Sequence, residues 1–188
     1  MGKIRSFSAS QRLSLACFFV ELLTFALIGL SFGNGWLMGQ IFLDGVETDV
    51  WCGIYELCFK TRIGQPPTYR CWFLGRFEVN TGLVQAGRIF LTGSACICWP
   101  VLCVTFLHAF GSIKGKLAPQ VIAKSILSLC ILLGCSLVQA EFERHKYERA
   151  WLGWSCASGW LAFVLSFCVT VATGINLGSV QSRADKES

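Results

Sequence analysis

Charged residues are scarce in this chain, and their scarcity limits the class of protein. Only 14% of the 188 residues are Asp, Glu, Lys or Arg, whereas soluble domains carry about 25%. A disordered chain needs high charge and few aromatic residues, and a soluble globule needs enough charge to cover its surface. Hydrophobic residues make up 54% of the chain, and the mean hydropathy is +0.57. The composition therefore predicts a membrane protein.

Histidine is also scarce, and no catalytic or metal-binding set can be assembled around His108 and His145, the two histidines present. The sequence contains no Ser/His/Asp set and no phosphate-binding loop. We therefore expect no enzymatic activity, no cofactor and no metal. The net charge of +5 is modest, and the basic residues form no patch interleaved with aromatics, so we expect no nucleic-acid partner.

Long apolar runs are what the sequence has in abundance. At about 1.5 Å per residue, a helix of about 20 apolar residues crosses the roughly 30 Å hydrocarbon core of a bilayer. The runs of this length are residues 13–33, 89–110, 121–140 and 151–177. Because backbone groups in lipid must be satisfied within the segment, we predict one domain over residues 1–188 with four transmembrane helices. The first run exceeds the usual signal-peptide core of about 7–15 residues, which predicts a retained helix.

The orientation of these helices is predicted from the charges and the cysteines of the segments that connect them. An even number of helices places both termini on one side. Lys and Arg divide eight against eight between the two sides, so the positive-inside count is tied. Acidic residues cancel the charge of the side opposite the termini. Cysteines in the 34–88 loop favour an oxidising environment for that side. We therefore predict a multi-pass plasma-membrane protein with both termini in the cytoplasm.

The 34–88 loop has the pattern of a small antiparallel sheet. Residues 36–43 are apolar and aromatic, and Asp44-Gly45 is a strong hairpin signal. Residues 46–59 are rich in Val, Trp, Ile and Tyr, and a second turn at residues 64–67 precedes the segment 69–73. A sheet this small is marginal alone. The predicted fold is thus a four-helix membrane bundle with a small antiparallel β-sheet in the first outer loop.

Cysteine falls into two groups with different interpretations. Eight of the eleven lie in the apolar runs, where cysteine packs as a small apolar residue. Cys52, Cys58 and Cys71 lie in the loop, with too few His or acidic neighbours at ligand spacing to favour zinc. Cys52 and Cys58 are about 20 Å apart in an extended segment, beyond the reach of a disulfide. Cys71 therefore pairs with one of them, and the other is left over.

Three short motifs give the chain a resemblance to a known family. Trp36, Gly53-Ile54-Tyr55-Glu56-Leu57-Cys58 and Cys71 resemble the W…G-L-W-x-x-C…C signature of the claudin, peripheral myelin protein and epithelial membrane protein superfamily. Ile54 and Tyr55 replace Leu and Trp of that signature. The segment 83–88 resembles L-x-Q-A-x-R, and Gly153-Trp154-Ser155 resembles the G-W-S of several claudin-like members. The motifs occur in the family's order and span nearly the whole chain.

The resemblance implies a left-handed four-helix bundle and assigns roles to matched residues. It implies a disulfide between Cys58 and Cys71, with Trp36 anchoring the sheet at the bilayer and Arg88 tying the loop to the mouth of a helix. Cys52 has no counterpart in the signature. The chain also departs from the family, because it lacks the C-terminal Tyr-Val that binds PDZ scaffolds. We therefore expect no PDZ-scaffold partner.

Several single residues have two interpretations. Glu21 lies in the middle of the first run, where a charged side chain is costly in lipid. It either contacts a partner protein or is a structural residue that is protonated or hydrogen-bonded. His108 and Lys124 lie near predicted helix ends, where snorkelling explains them. Gly29 and Gly33 form G-x-x-x-G, which permits close helix packing.

The aromatic and basic residues of the loops also have a default interpretation. Tryptophans cluster near the predicted interfaces, where belt anchoring is expected. Arg70 and Arg76 flank Cys71 at positions where claudins place pore-lining charges; a solvated surface is the alternative.

Two functions remain open at this point. In the first, the sheet mediates cell–cell adhesion, junction or membrane contact between like molecules, and Cys52, expected near an open strand edge, forms an interchain contact. In the second, the bundle is an auxiliary subunit that binds a larger channel or receptor. Membrane lipid is expected as a partner in both.

Overall fold

The computed structural model describes residues 9–33, 35–43, 46–61, 68–73, 82–110, 117–144 and 150–187. The predicted turns at Asp44-Gly45 and at residues 64–67 lie outside these residues, as does Arg76. The four helices are α1 Ala9–Ser31, α2 Gly82–Ala109, α3 Leu117–Arg144 and α4 Trp154–Glu187. The strands are β1 Leu37–Leu43, β2 Val46–Cys52, β3 Glu56–Thr61, β4 Thr68–Phe73 and β5 Ala150–Leu152.

All four predicted helices are present, and each is long and apolar enough to cross a membrane. Several of their ends lie beyond the predicted boundaries, because hydropathy marks only the apolar part of a helix, whereas α1 ends at Ser31 and α2 at Ala109, slightly before the predicted residues 33 and 110. For example, α2 begins at Gly82 rather than at residue 89, since Gln85 and Arg88 continue the helix while lowering its hydropathy. In contrast, α4 begins at Trp154 rather than at residue 151, because residues 150–152 form a strand.

The helices form a ring in which α1 packs against α2 and α4, and α3 packs against the same two helices. Helices α1 and α3 are therefore diagonal to each other. Large apolar side chains cover the outside of the bundle, with Phe19, Ile89 and Ile175 between 60% and 71% exposed. Hydroxyl side chains such as Thr24 and Ser94 are fully buried. This arrangement, apolar outside and polar inside, is the one that lipid favours.

The strands form one antiparallel sheet in the order β4-β3-β2-β1-β5. In the β1–β2 hairpin, Leu43 pairs with Val46, as the two-residue turn signal predicted. The fifth strand was not predicted. It pairs Leu37 with Leu152 and Gly39 with Ala150, so that the segment between α3 and α4 joins the sheet of the first loop. The sheet lies at the end of the bundle opposite the chain termini.

Candidate functional site

A disulfide joins the last two strands of the first loop. Cys58 and Cys71 face each other directly in the β3–β4 register and are bonded, which confirms the pairing implied by the resemblance. Cys58 is buried and Cys71 is exposed. The Glu56 carboxylate lies within 4.8 Å of both sulfur atoms, but the disulfide leaves no thiolate there for a metal.

Cys52 is not at a strand edge, and that expectation is wrong. It ends β2, which lies between β1 and β3, and it pairs with Leu37 on one side and Leu57 on the other. Only 4% of it is exposed. Burial raises the pKa of the Cys52 thiol to about 12, although the positive charge of Arg88 acts to lower it. The physical reason for the error is that residues 46–59 do not form one extended segment. The chain turns between β2 and β3, so that β3 pairs with the side of β2 that β1 leaves free.

This position predicts an unreactive thiol. The reactive species is the thiolate, and a pKa near 12 keeps Cys52 protonated at pH 7 to 9. Alkylation of Cys52 in the folded protein should therefore be slow and should not accelerate between pH 7 and 9, whereas an exposed cysteine with pKa of about 8.5 accelerates over that range. Peptide mapping by mass spectrometry measures the rate, with the protein unfolded in detergent as the control. A Cys52-dependent dimer on non-reducing gels would contradict the prediction.

Trp36 joins the sheet to the bundle instead of anchoring it in lipid. Its side chain is fully buried, and its indole N–H donates to the Ser31 carbonyl at the end of α1. The ring packs against Phe142 of α3. Its backbone N–H donates to the Cys52 carbonyl at 3.0 Å, and its carbonyl accepts from Gly153 at 2.9 Å. Trp36 thus contacts α1, α3 and both loop segments. The interfacial interpretation fits Trp151 and Trp154 better, since these are 52% and 48% exposed.

The Gly153-Trp154-Ser155 motif locks α4 to the turn before β1. The Ser155 hydroxyl accepts the Gly35 N–H at 3.2 Å, and the Ser155 N–H donates to the Gly35 carbonyl at 3.2 Å. A side chain at Gly153 would collide with that carbonyl and would lie 2.8 Å from the Met38 sulfur. The motif therefore has a structural role. Gly153 permits close contact with Gly35, and Ser155 makes the hydrogen bonds to it.

Arg88 ties the loop to α2, as the resemblance implied. Its Nε donates to the carbonyl of the fully buried Ile54. The guanidinium lies 5.3 Å from the centre of the Tyr55 ring, within the range of a cation–π interaction. The Tyr55 hydroxyl in turn lies 3.1 Å from the Thr92 hydroxyl on α2. The signature segment 53–55 is thus held on the first turns of α2 by three polar contacts.

Inside the helix bundle, Glu21 forms an ion pair with Lys124. The Lys124 Nζ lies 2.7 Å from Oε1 of Glu21, and both side chains are only 3% exposed. Because Glu21 belongs to α1 and Lys124 to α3, the pair crosses the diagonal of the bundle. Lys124 also donates to the Thr173 hydroxyl on α4 at 3.1 Å. The snorkelling expected for Lys124 is therefore wrong, since its side chain points to the bundle axis.

Hydroxyl groups continue this polar core along α3 and α4. One turn beyond Lys124, the Ser128 hydroxyl lies 2.7 Å from the hydroxyl of Ser166 and 3.3 Å from that of Thr170. Nearer the termini, Ser14 on α1 lies 3.0 Å from Nδ1 of His108 on α2. A signal for the ion pair was present in the sequence, namely one acid and one base in separate apolar runs. That signal did not show whether the two side chains point toward each other or toward lipid.

The G-x-x-x-G pair does not act as one unit. A side chain added at Gly29 would meet no atom within 4 Å. Gly33 lies directly against Trp154 and Ser155 of α4, so its close contact is within the chain. The exposed Arg70 stands in β4, and its role stays a prediction.

The chain matches no protein-family model and no curated protein at a significant level.

Proposed function

We propose that the protein is a non-enzymatic, claudin-like membrane protein of the cell surface that makes membrane contacts through its sheet. The contacts join copies of the chain in apposed membranes or in the same membrane. The observation that carries the proposal is the place of β4 at one end of the sheet order, with three strands between it and β5. An edge strand is a template for pairing with another chain.

The register indicates which backbone groups of β4 point away from β3, its one neighbour among the described strands. The Cα atoms of Cys58 and Cys71 are 4.1 Å apart, close to the roughly 4.5 Å of a pair that is not hydrogen-bonded, rather than the 5.5 Å of one that is. Hydrogen-bonded and non-bonded pairs alternate along the strands. The N–H groups of Tyr69, Cys71 and Phe73 therefore point away from β3, toward the outer side of the sheet.

The proposed orientation places the sheet outside the cell and both termini in the cytoplasm. The disulfide supports it, because disulfides persist on the oxidising side of a membrane. Epitope tags at either terminus should stain only after cells are permeabilised, and staining of intact cells would reverse the orientation.

Proline at the edge tests the contact surface. Tyr69→Pro removes one outward N–H without breaking a β3–β4 hydrogen bond, and proline is tolerated at such edge positions. Tyr69→Ala removes the same side chain but keeps the N–H, so it is the matched control. In cells that lack other adhesion proteins, wild type and Tyr69→Ala should accumulate where two expressing cells meet. Tyr69→Pro should accumulate at least about tenfold less at equal surface density, which corresponds to about 1.4 kcal/mol.

The same experiment separates the proposed function from the auxiliary-subunit alternative. Equal accumulation of Tyr69→Pro and Tyr69→Ala would show that β4 is not the contact edge. If wild type does not accumulate at contacts but co-purifies in fixed stoichiometry with a larger membrane protein, the auxiliary-subunit function replaces the contact function. Cys52 gives no covalent support to self-contact, because it is buried inside the sheet.

A further inference from the structure

The four helices leave a small cavity between them, beside the Glu21–Lys124 ion pair. Its volume is about 10 Å³. Each helix contributes at least one polar side chain to the wall, and these side chains are Ser14, Thr105, Gln120, Lys124, Thr173 and Asn176. The cavity is therefore lined by hydrogen-bonding groups from the whole bundle, and it is separate from the sheet that carries the proposed function.

The volume and the charges of the cavity limit what it can hold. A cavity of about 10–15 Å³ holds one water molecule, so this one has no room for an organic ligand. The Lys124 ammonium repels a metal cation. Because Glu21 lies 2.7 Å from Lys124 and matches its charge, the wall has no excess positive charge to attract an anion. The cavity thus suits a single neutral molecule of the size of water.

Lys124 has one more hydrogen-bond donor than it has partners. An ammonium group carries three N–H groups. One of them reaches Oε1 of Glu21 at 2.7 Å, and a second donates to the Thr173 hydroxyl at 3.1 Å. No other residue in the described part of the chain accepts the third. Lys124 is only 2% exposed, and buried donors in native proteins are almost always paired.

Two amide side chains in the same wall offer acceptors. The Gln120 side chain makes no hydrogen bond to the described residues. The Asn176 amide N–H donates to the Ser10 hydroxyl at 3.2 Å, which leaves the side-chain carbonyl of Asn176 to accept. Gln120 lies one turn before Lys124 in α3, so both amides are on the side of the cavity nearer the chain termini. A molecule in the cavity can therefore accept from Lys124 and donate to both amides.

We propose that this cavity binds one water molecule, which bridges the Lys124 ammonium to the side-chain carbonyls of Gln120 and Asn176. A buried water typically makes about three hydrogen bonds to polar groups that lack other partners, and these three groups supply that number. The water also borders Ser14, whose hydroxyl lies 3.0 Å from Nδ1 of His108 near the end of α2. Solvent thus reaches the ion pair from the end of the bundle that carries the termini.

A crystal structure of the full chain tests the site directly. In a map that resolves ordered water, a peak should lie in the cavity about 2.7–3.2 Å from the Lys124 Nζ and from at least one of the two amide carbonyls. An empty cavity in a map that shows other ordered waters would overturn the proposal. So would a rotamer of Gln120 or Asn176 that places its own carbonyl on Lys124.

X-ray radiolysis tests the same site in solution. A bound water that is split by X-rays oxidises the side chains around it, and this labelling persists when a scavenger removes radicals from bulk solvent. Cys17 lines the cavity, whereas Cys98, fully buried in the same bundle, does not. Peptide mapping should therefore show scavenger-resistant oxidation of Cys17 above that of Cys98. Ser14→Thr adds a methyl group to the wall and should lower Cys17 oxidation to the level of Cys98. Ala16→Thr, on the exposed side of α1, should label like wild type.

Two results of the radiolysis experiment would overturn the proposal. The first is equal oxidation of Cys17 and Cys98 in the wild-type protein. The second is Cys17 oxidation that disappears with the scavenger or that Ser14→Thr leaves unchanged, because either indicates radicals from bulk solvent. Each variant is first checked for a single monodisperse species in mild detergent. If Ser14→Thr fails that check, Gln120→Met takes its place. It removes one acceptor of the water but no hydrogen bond between described residues, and it should lower Cys17 oxidation in the same way.

Discussion

Lys124→Met is expected to lower the free energy of unfolding by about 3–5 kcal/mol, because it leaves a buried carboxylate without its partner. Glu21 is 2% exposed, and Lys124 lies 2.7 Å from it across the bundle. Part of the cost is relieved if Glu21 takes up a proton, which makes the lower end of the range the expected value at acidic pH. Thermal unfolding of the purified protein in detergent measures the change, and cell-surface biotinylation reports its consequence in cells.

The double variant Glu21→Gln/Lys124→Met distinguishes lost charge balance from lost packing. Replacing both members of a buried pair with uncharged residues of similar size is often neutral or stabilising. The double variant should therefore recover most of the stability lost by Lys124→Met. Ile122→Met, on the outer face of the same helix, should change little. If the double variant is as unstable as the single one, the role of Lys124 is packing, and the electrostatic account is wrong.

Loss of the Cys58–Cys71 disulfide is expected to remove the protein from the cell surface. The bond closes a loop of 13 residues, and disulfides of about that span stabilise by roughly 3 kcal/mol. That is a large share of the stability of a small sheet, which is marginal on its own. Cys58→Ser should therefore cause retention inside the cell, as measured by surface biotinylation. The double variant Cys58→Ser/Cys71→Ser should be retained to the same extent as Cys58→Ser. Equal retention would exclude an effect of the unpaired Cys71 thiol that the single variant leaves behind.

Cys52→Ala serves as the control in the same loop. Cys52 is a free thiol, so its replacement removes no cross-link, and surface delivery should persist. Peptide mapping of the wild-type protein should show Cys58 and Cys71 alkylated only after reduction. Alkylation of both thiols without reduction would show that the disulfide is absent from the mature protein.

Local patterns in the sequence predicted the elements of the fold but not the contacts between distant segments. The four helices follow from apolar runs, and the β1–β2 hairpin follows from a two-residue turn between β-rich segments. Strand β5 has only three residues and exists because β1 offers it an edge, so nothing in residues 150–152 alone predicts it. The covered position of Cys52 depends instead on the turn between β2 and β3, which the pattern of residues 46–59 did not predict.

The polar core shows a similar limit on prediction. The charge of Lys124 and its depth were readable from the sequence, yet the same lysine can extend toward the membrane surface or toward the bundle axis. The rotation of α3 about its own axis decides between these, and close contacts such as that of Gly134 with Leu91 set that rotation. The contact of Arg88 with the loop was expected from a motif resemblance, and it could not have been expected from hydropathy.

The diagonal ion pair also constrains how the protein is made. Glu21 leaves the ribosome about a hundred residues before Lys124, so α1 is complete long before its counter-charge is synthesised. An acidic residue at the centre of an isolated helix costs about 2.5–3.5 kcal/mol in lipid. Until α3 is synthesised, α1 therefore gains from staying beside the insertion machinery or from carrying a protonated Glu21. For the proposed membrane-spanning arrangement, we therefore expect the four helices to integrate as a concerted event timed by α3, rather than by stepwise release of one helix after another.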